Sequence, residues 1–134
     1  MKNSIKYICL LDSKNTPIIN RNYENFDESF IELIINTQCD LIELAYQISP
    51  NNGYMGQIGI LNELKIFGFM SMTENKIIMI CTKEEKRPKD LLKSIYDLYR
   101  SYILNPFFDE TNLQDLSKRI DDCVNFYNHN NNDE

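Results

Sequence analysis

Three groups of residues in this chain have types that could do chemistry: Gly53, Gly56 and Gly59; the carboxylates Asp40 and Glu43; and the cysteines Cys9, Cys39, Cys81 and Cys123 with the single histidine, His129. The glycines would cradle a phosphate if they opened a helix. Their G-x-x-G-x-x-G spacing is neither the P-loop nor the dinucleotide fingerprint, and it leads into a strand-like run. Asp40 and Glu43 share one helical face and could form an acid–base pair, but a solvated acidic face has the same spacing. Zinc would need cysteines or histidines at close intervals. Here the cysteines are scattered, each inside an apolar stretch, and are expected as free thiols in a reducing compartment. His129 lies in an Asn-rich tail where nothing would hold it in catalytic geometry. The expectation is therefore a protein without metal or cofactor that is not an enzyme.

Composition narrows the alternatives further. A chain of 134 residues that is 43% hydrophobic can bury roughly two thirds of its unfolded surface as one domain. Its net charge of −6, with Lys and Arg scattered among acids, argues against a nucleic-acid binder, which must neutralise phosphates with clustered cations. Charge-driven binding to an anionic membrane is disfavoured for the same reason. No apolar run approaches the roughly 20 residues a membrane span requires, so a cytosolic chain without direct membrane insertion is expected.

The elements that must position any site follow from periodicity. "IKYICLL" (5–11) and "IIMIC" (77–81) are apolar at nearly every position, as strands covered on both faces are. "TPIINR" (16–21) and "YMGQIGI" (54–60) are broken by polar, Pro and Gly residues, which suits sheet edges. "LKIFGFMSM" (64–72) adds a fifth strand, with Gly68 where a neighbouring backbone or ring is expected to pack closely. The tetrads "SKNT" (13–16) and "TENK" (73–76) predict hairpin turns.

A long helix is predicted over 27–48, capped by Asn25 with Glu28. Phe30, Ile34, Leu41, Ala45 and Ile48, flanked by Ile31, Ile35 and Ile42, form its apolar stripe; Glu32, Asn36, Asp40, Glu43 and Gln47 lie opposite. Pro88 suits the first turn of a second helix with Leu91, Ile95, Leu98 and Tyr102 on its inner face. A third helix is predicted after Thr111, capped with Gln114, and presents Leu113, Leu116, Ile120, Val124 and Tyr127. The order ββαβββαα predicts an α+β domain over residues 1–127: a five-stranded antiparallel sheet with one helix on one face and two on the other. Residues 128–134, Asn-rich and without apolar side chains, are expected to be a disordered tail.

With no convergent catalytic groups, surface features carry the functional reading. Tyr96, Tyr99 and Tyr102 recur every three residues, and tyrosine is enriched at interfaces. Tyr99 and Tyr102 fall beside the core stripe, leaving Tyr96 as a candidate partner contact. Asn105, Pro106, Phe107 and Phe108 read as a helix stop, because proline cannot continue a helix and biases the residue before it away from helical geometry. The two phenylalanines are expected to plug the domain.

The stretch "YDLYRSYILNPFF" (96–108) resembles the C-terminal helix and Asn-Pro-Phe-Tyr/Phe motif of sedlin and the sedlin-like small subunits of the transport protein particle (TRAPP) complex. "KNTPIINR" (14–21) is similar to that family's Lys-x-Asn-x-Pro-(Leu/Ile)-x-x-Arg turn and strand at Asn15, Pro17 and Arg21, and Asp40 falls where the family carries an Asp. "KIFGFMSMTENKIIMI" (65–80) is similar to the sedlin-like branch in particular. Ile120 before Asp121 departs from the family's usual aromatic-Asp pair in the last helix. The resemblance implies a longin-like (profilin-like) fold and a non-enzymatic adaptor or assembly subunit of a TRAPP-type tethering complex. It also implies contact with other TRAPP subunits, with a Rab GTPase only through the assembly, and a cytoplasmic location peripheral to ER–Golgi and Golgi membranes. Self-association stays open. On that reading Asn36, Asp40, Glu43 and Gln47 face a partner. The alternative is a regulatory longin-type, peptide-binding domain of another membrane-trafficking protein.

Overall fold

The run Ile5–Leu11 (β1) has hardly a polar side chain to show to water, and the computed structural model buries six of its seven residues, with Lys6 half-buried. The structure describes residues 5–48, 53–61, 63–82, 88–104 and 106–132. β1 pairs antiparallel with β2 (Pro17–Asn22) on one side and with β5 (Lys76–Thr82) on the other. The chain then adds β4 (Leu64–Met70) to β5 and β3 (Tyr54–Leu61) to β4. The resulting sheet has the order β2-β1-β5-β4-β3, so the two strands with broken apolar patterns are its edges, as expected.

Side chains alternate across this sheet and feed two cores. Tyr7, Cys9, Leu11, Ile66, Ile78 and Ile80 meet Ile31, Ile34, Ile35, Cys39 and Ile42 of α1 (Glu28–Ile48). On the other face Ile8, Leu10, Phe67, Phe69, Ile77 and Met79 meet α2 (Pro88–Ile103) and α3 (Glu110–Asn132) through Leu92, Ile95, Tyr99, Leu116, Ile120 and Val124. Ile5 joins this second core although its odd number matches Tyr7, because the β1–β5 register shifts between Ile5 and Tyr7. A bulge of this kind turns a side chain to the opposite face. Helices on both faces are the reason the central strands β1 and β5 are apolar at nearly every position between their ends.

Gly68 lets α1 come down onto the sheet: a Cβ there would lie 2.7 Å from Ile42 Cγ1 and 2.8 Å from Ile58 Cδ1. The close neighbours are aliphatic side chains rather than the backbone or ring expected. The stripe of α1 is rotated from the one expected. Leu41 and Ile48 are exposed, and Gln38 and Cys39 take buried places instead. Apolar residues occur around most of this helix, so the sheet decides which of them face inward.

Both helix caps also differ from expectation. Asn25 has φ +55° and lies in the loop before the helix, whereas Asp27 Oδ2 accepts the backbone N–H of Ser29 at 3.2 Å. At α3, Asp109 Oδ1 accepts the N–H groups of Thr111 and Asn112, while Asn112 Oδ1 accepts that of Asp109 at 3.0 Å. This reciprocal pair does the work assigned to Thr111 and Gln114. α3 also continues past the boundary drawn at residue 127: Asn128 is buried, and its Oδ1 accepts the Ile5 N–H at 3.2 Å.

Candidate functional site

Lys76 opens the central strand with its side chain fully buried, so its ammonium must find partners inside the protein. Nζ donates to Asn15 Oδ1 at 2.7 Å and lies 2.9 Å from Glu43 Oε2. The Asn15 amide in turn donates to Glu43 Oε2 at 3.4 Å, closing the triangle. Asn15 can reach because the β1–β2 turn holds it at φ +65°, a conformation asparagine tolerates, while Asp12 Oδ1 accepts the N–H groups of Lys14 and Thr16. The Lys76 hydrogen bond holds the Glu43 carboxyl below its ordinary range. Turn, sheet and helix α1 are thus tied together at one point.

With α1 held this way, its outward line reads Leu33, Asn36, Asp40, Leu44 and Gln47, at intervals of three and four residues. All five are exposed, the two leucines at 60% and 55%. Asp40 makes no ion pair or hydrogen bond among the described residues. The expected partner stripe therefore divides: Asn36, Asp40 and Gln47 face outward together, whereas Glu43 sits at the margin in the bond to Lys76. Leu33 and Leu44 are additions that sequence reasoning missed. Their spacing of three helical turns, opposite Ile31, Ile34 and Ile42, was the available signal.

Tyr96 lies across the sheet from this face. Its ring packs against Phe69 (centroids 5.2 Å apart) and Tyr99 (6.5 Å), so it is half-buried. It does not join Asp40 in one site. Nor does the Pro-Phe-Phe corner plug the domain: Pro106 is exposed, Phe107 is 83% exposed and Phe108 half-buried, while Asn105 lies outside the described residues. Leu98, Tyr102 and Leu113 already pack against the core where α2 and α3 approach, leaving the phenylalanine outside. The helix does stop there, α2 ending at Ile103.

A second polar cluster, on the opposite face from the Lys76 triangle, fastens edge strand β2 to α3. Arg21 donates to Asp121 in fork fashion, Nε to Oδ1 at 2.9 Å and Nη2 to Oδ2 at 2.6 Å, and the Tyr23 hydroxyl donates to the same Oδ1 at 2.6 Å. Burial and the Asp121 carboxylate raise the Tyr23 phenol. Such a bidentate pair fixes geometry as well as adding energy.

The remaining chemical candidates do not converge. Burial pushes the Cys9 and Cys39 thiols up to about 11, leaving them as protonated packing groups rather than nucleophiles. The described residues contain no cluster of His, Cys, Asp and Glu able to hold a metal, and no helix among them is long and apolar enough to cross a membrane. The outer face of α1 thus presents two exposed leucines and a carboxylate that is unpaired among the described residues.

A protein-family model described as Sedlin matches residues 7–129, from β1 through α3. Comparison with curated proteins gave no significant match.

Proposed function

The chain belongs to the sedlin family of TRAPP-type trafficking subunits, and on that premise we propose that it is an adaptor or assembly subunit that docks other subunits through the outer face of α1. The observation that carries this reading is the line Leu33, Asn36, Asp40, Leu44 and Gln47, exposed on a helix whose inner side is locked to the sheet. Leucines supply apolar area to desolvate, and a carboxylate without a partner among the described residues supplies specificity toward an Arg or Lys opposite it. In this reading the chain acts without catalysis of its own. Its role toward a Rab GTPase is exercised only through the assembled complex, in the cytoplasm at ER–Golgi and Golgi membranes.

The peptide-capture reading rests on a different feature. Beneath edge strand β3, the Gln38 side chain lies where a Cβ on Gly59 would come within 3.1 Å of it, and its Oε1 is buried without a hydrogen-bond partner among the described residues. An edge strand beside such a group could accept an added strand.

The test is affinity purification of the tagged chain from native extract with mass spectrometry, repeated with Asp40→Tyr and Leu44→Glu. TRAPP subunits recovered with the wild type and lost from both variants, whose thermal midpoints stay unchanged, is the expected result. Recovery of membrane-fusion proteins alone, retained by both variants, would replace the assembly reading with peptide capture at β3.

A further inference from the structure

Across the sheet from α1, a cavity of about 570 Å³ opens between α2 and the turn from β4 to β5. Its apolar wall is made by the rings of Phe69 and Tyr96 and by Met72, which is 91% exposed. Gly53 admits this arrangement, because a Cβ there would lie 3.0 Å from the Phe69 ring and 2.8 Å from the Met70 carbonyl oxygen, and its φ of +96° suits glycine. The turn's own hydroxyls are already engaged. Ser71 Oγ and Thr73 Oγ1 share a hydrogen bond at 3.0 Å, and they accept from the Asn75 backbone N–H and side-chain amide respectively.

The charged groups at the rim are different. Lys93 and Arg100, both exposed on α2, line the cavity with a single carboxylate, Asp97, between them. Neither cation forms an ion pair among the described residues. In a chain of net charge −6, this is a place where cations outnumber acids beside an apolar hollow. Seven residues of helix put the two cations about 10.5 Å apart along the axis. That separation matches two acidic residues about three positions apart in an extended segment, with an apolar residue between them, better than one compact phosphate.

We propose that this groove is a second docking site, which takes a short acidic peptide segment of a partner protein: an aromatic or aliphatic side chain enters against Phe69, Tyr96 and Met72, and flanking carboxylates pair with Lys93 and Arg100. The site stands apart from the α1 face and does not depend on it. A subunit with docking sites on opposite faces of its sheet can bridge two partners.

Selection from a displayed random-peptide library tests the proposal, with the Lys93→Glu/Arg100→Glu chain used for counter-selection. Enrichment of sequences with Asp or Glu on both sides of an aromatic or large aliphatic residue is expected. Fluorescence anisotropy of a selected peptide should show binding weakened by about tenfold or more in the double variant and reduced by added salt. Met72→Ser, at a highly exposed position, should weaken it without changing the salt dependence. Thermal melts check that the variants remain folded. No enrichment, enrichment of basic or uncharged sequences, or undiminished binding to the double variant would overturn the proposal. Self-association of the wild type that the double variant abolishes, without peptide enrichment, would overturn it in favour of a second copy of this chain.

Discussion

A lysine is ordinarily a surface residue, yet Lys76 is fully buried and depends on Glu43 and Asn15. Glu43→Gln would leave its ammonium with a weakened set of partners, and the expected cost is about 2–3 kcal/mol in denaturant unfolding at neutral pH. The Glu43 carboxyl is held below its ordinary value of 4.5, so its stabilisation is fully present above that value and is lost as pH falls through the lower folded value. The gap in unfolding midpoint between wild type and Glu43→Gln should therefore narrow as the pH drops below 4.5. Phe107 is the converse case. If it plugged the core, Phe107→Ala would cost about 3–5 kcal/mol; at 83% exposure, the expected change is within about 0.5 kcal/mol, checked by the same titration.

At the scale of elements, strand positions are legible because apolar runs and turn tetrads leave little choice, and helix starts are less so. Asn25–Glu28 and Thr111–Gln114 have the right spacing, but many polar residues precede each helix, and the cap belongs to whichever carboxylate the loop aims at the free N–H groups. Asp109 accepts two of them at α3. Asp109→Ala should lower stability by about 1 kcal/mol, whereas Thr111→Val should change it little; comparing their thermal midpoints assigns the cap. The face of α1 illustrates a second limit. Ile31, Ile34, Ile35 and Ile42 go inward and Leu33, Leu41, Leu44 and Ile48 outward, and periodicity ranks two such stripes nearly equally. Gly68 and Ile58 settle the matter by forming the seat for Ile42.

At the scale of the whole molecule, α3 holds the two ends of the fold together. It reaches β2 through Asp121 with Arg21 and Tyr23, and β1 through Asn128 with the Ile5 N–H. Asn128→Ala would leave that buried N–H without its side-chain acceptor, and a loss of about 1–2 kcal/mol is expected in equilibrium unfolding. Such a loss would place the end of the folded domain beyond residue 127. Element order, central and edge strands and the placing of helices on both faces are legible in the amino-acid pattern, because burial on two sides demands apolar residues at nearly every position and burial on one side demands a period. The sequence also carried the family motifs around Asn15, Arg21 and Phe107. It took the packed layers to fix which carboxylates are internally paired, which residues of α1 stay exposed, and that Lys93, Tyr96 and Arg100 border one groove with Phe69. Those outcomes depend on distances between residues far apart in the chain, and a one-dimensional pattern holds no information about which polar group will find the other when the layers close.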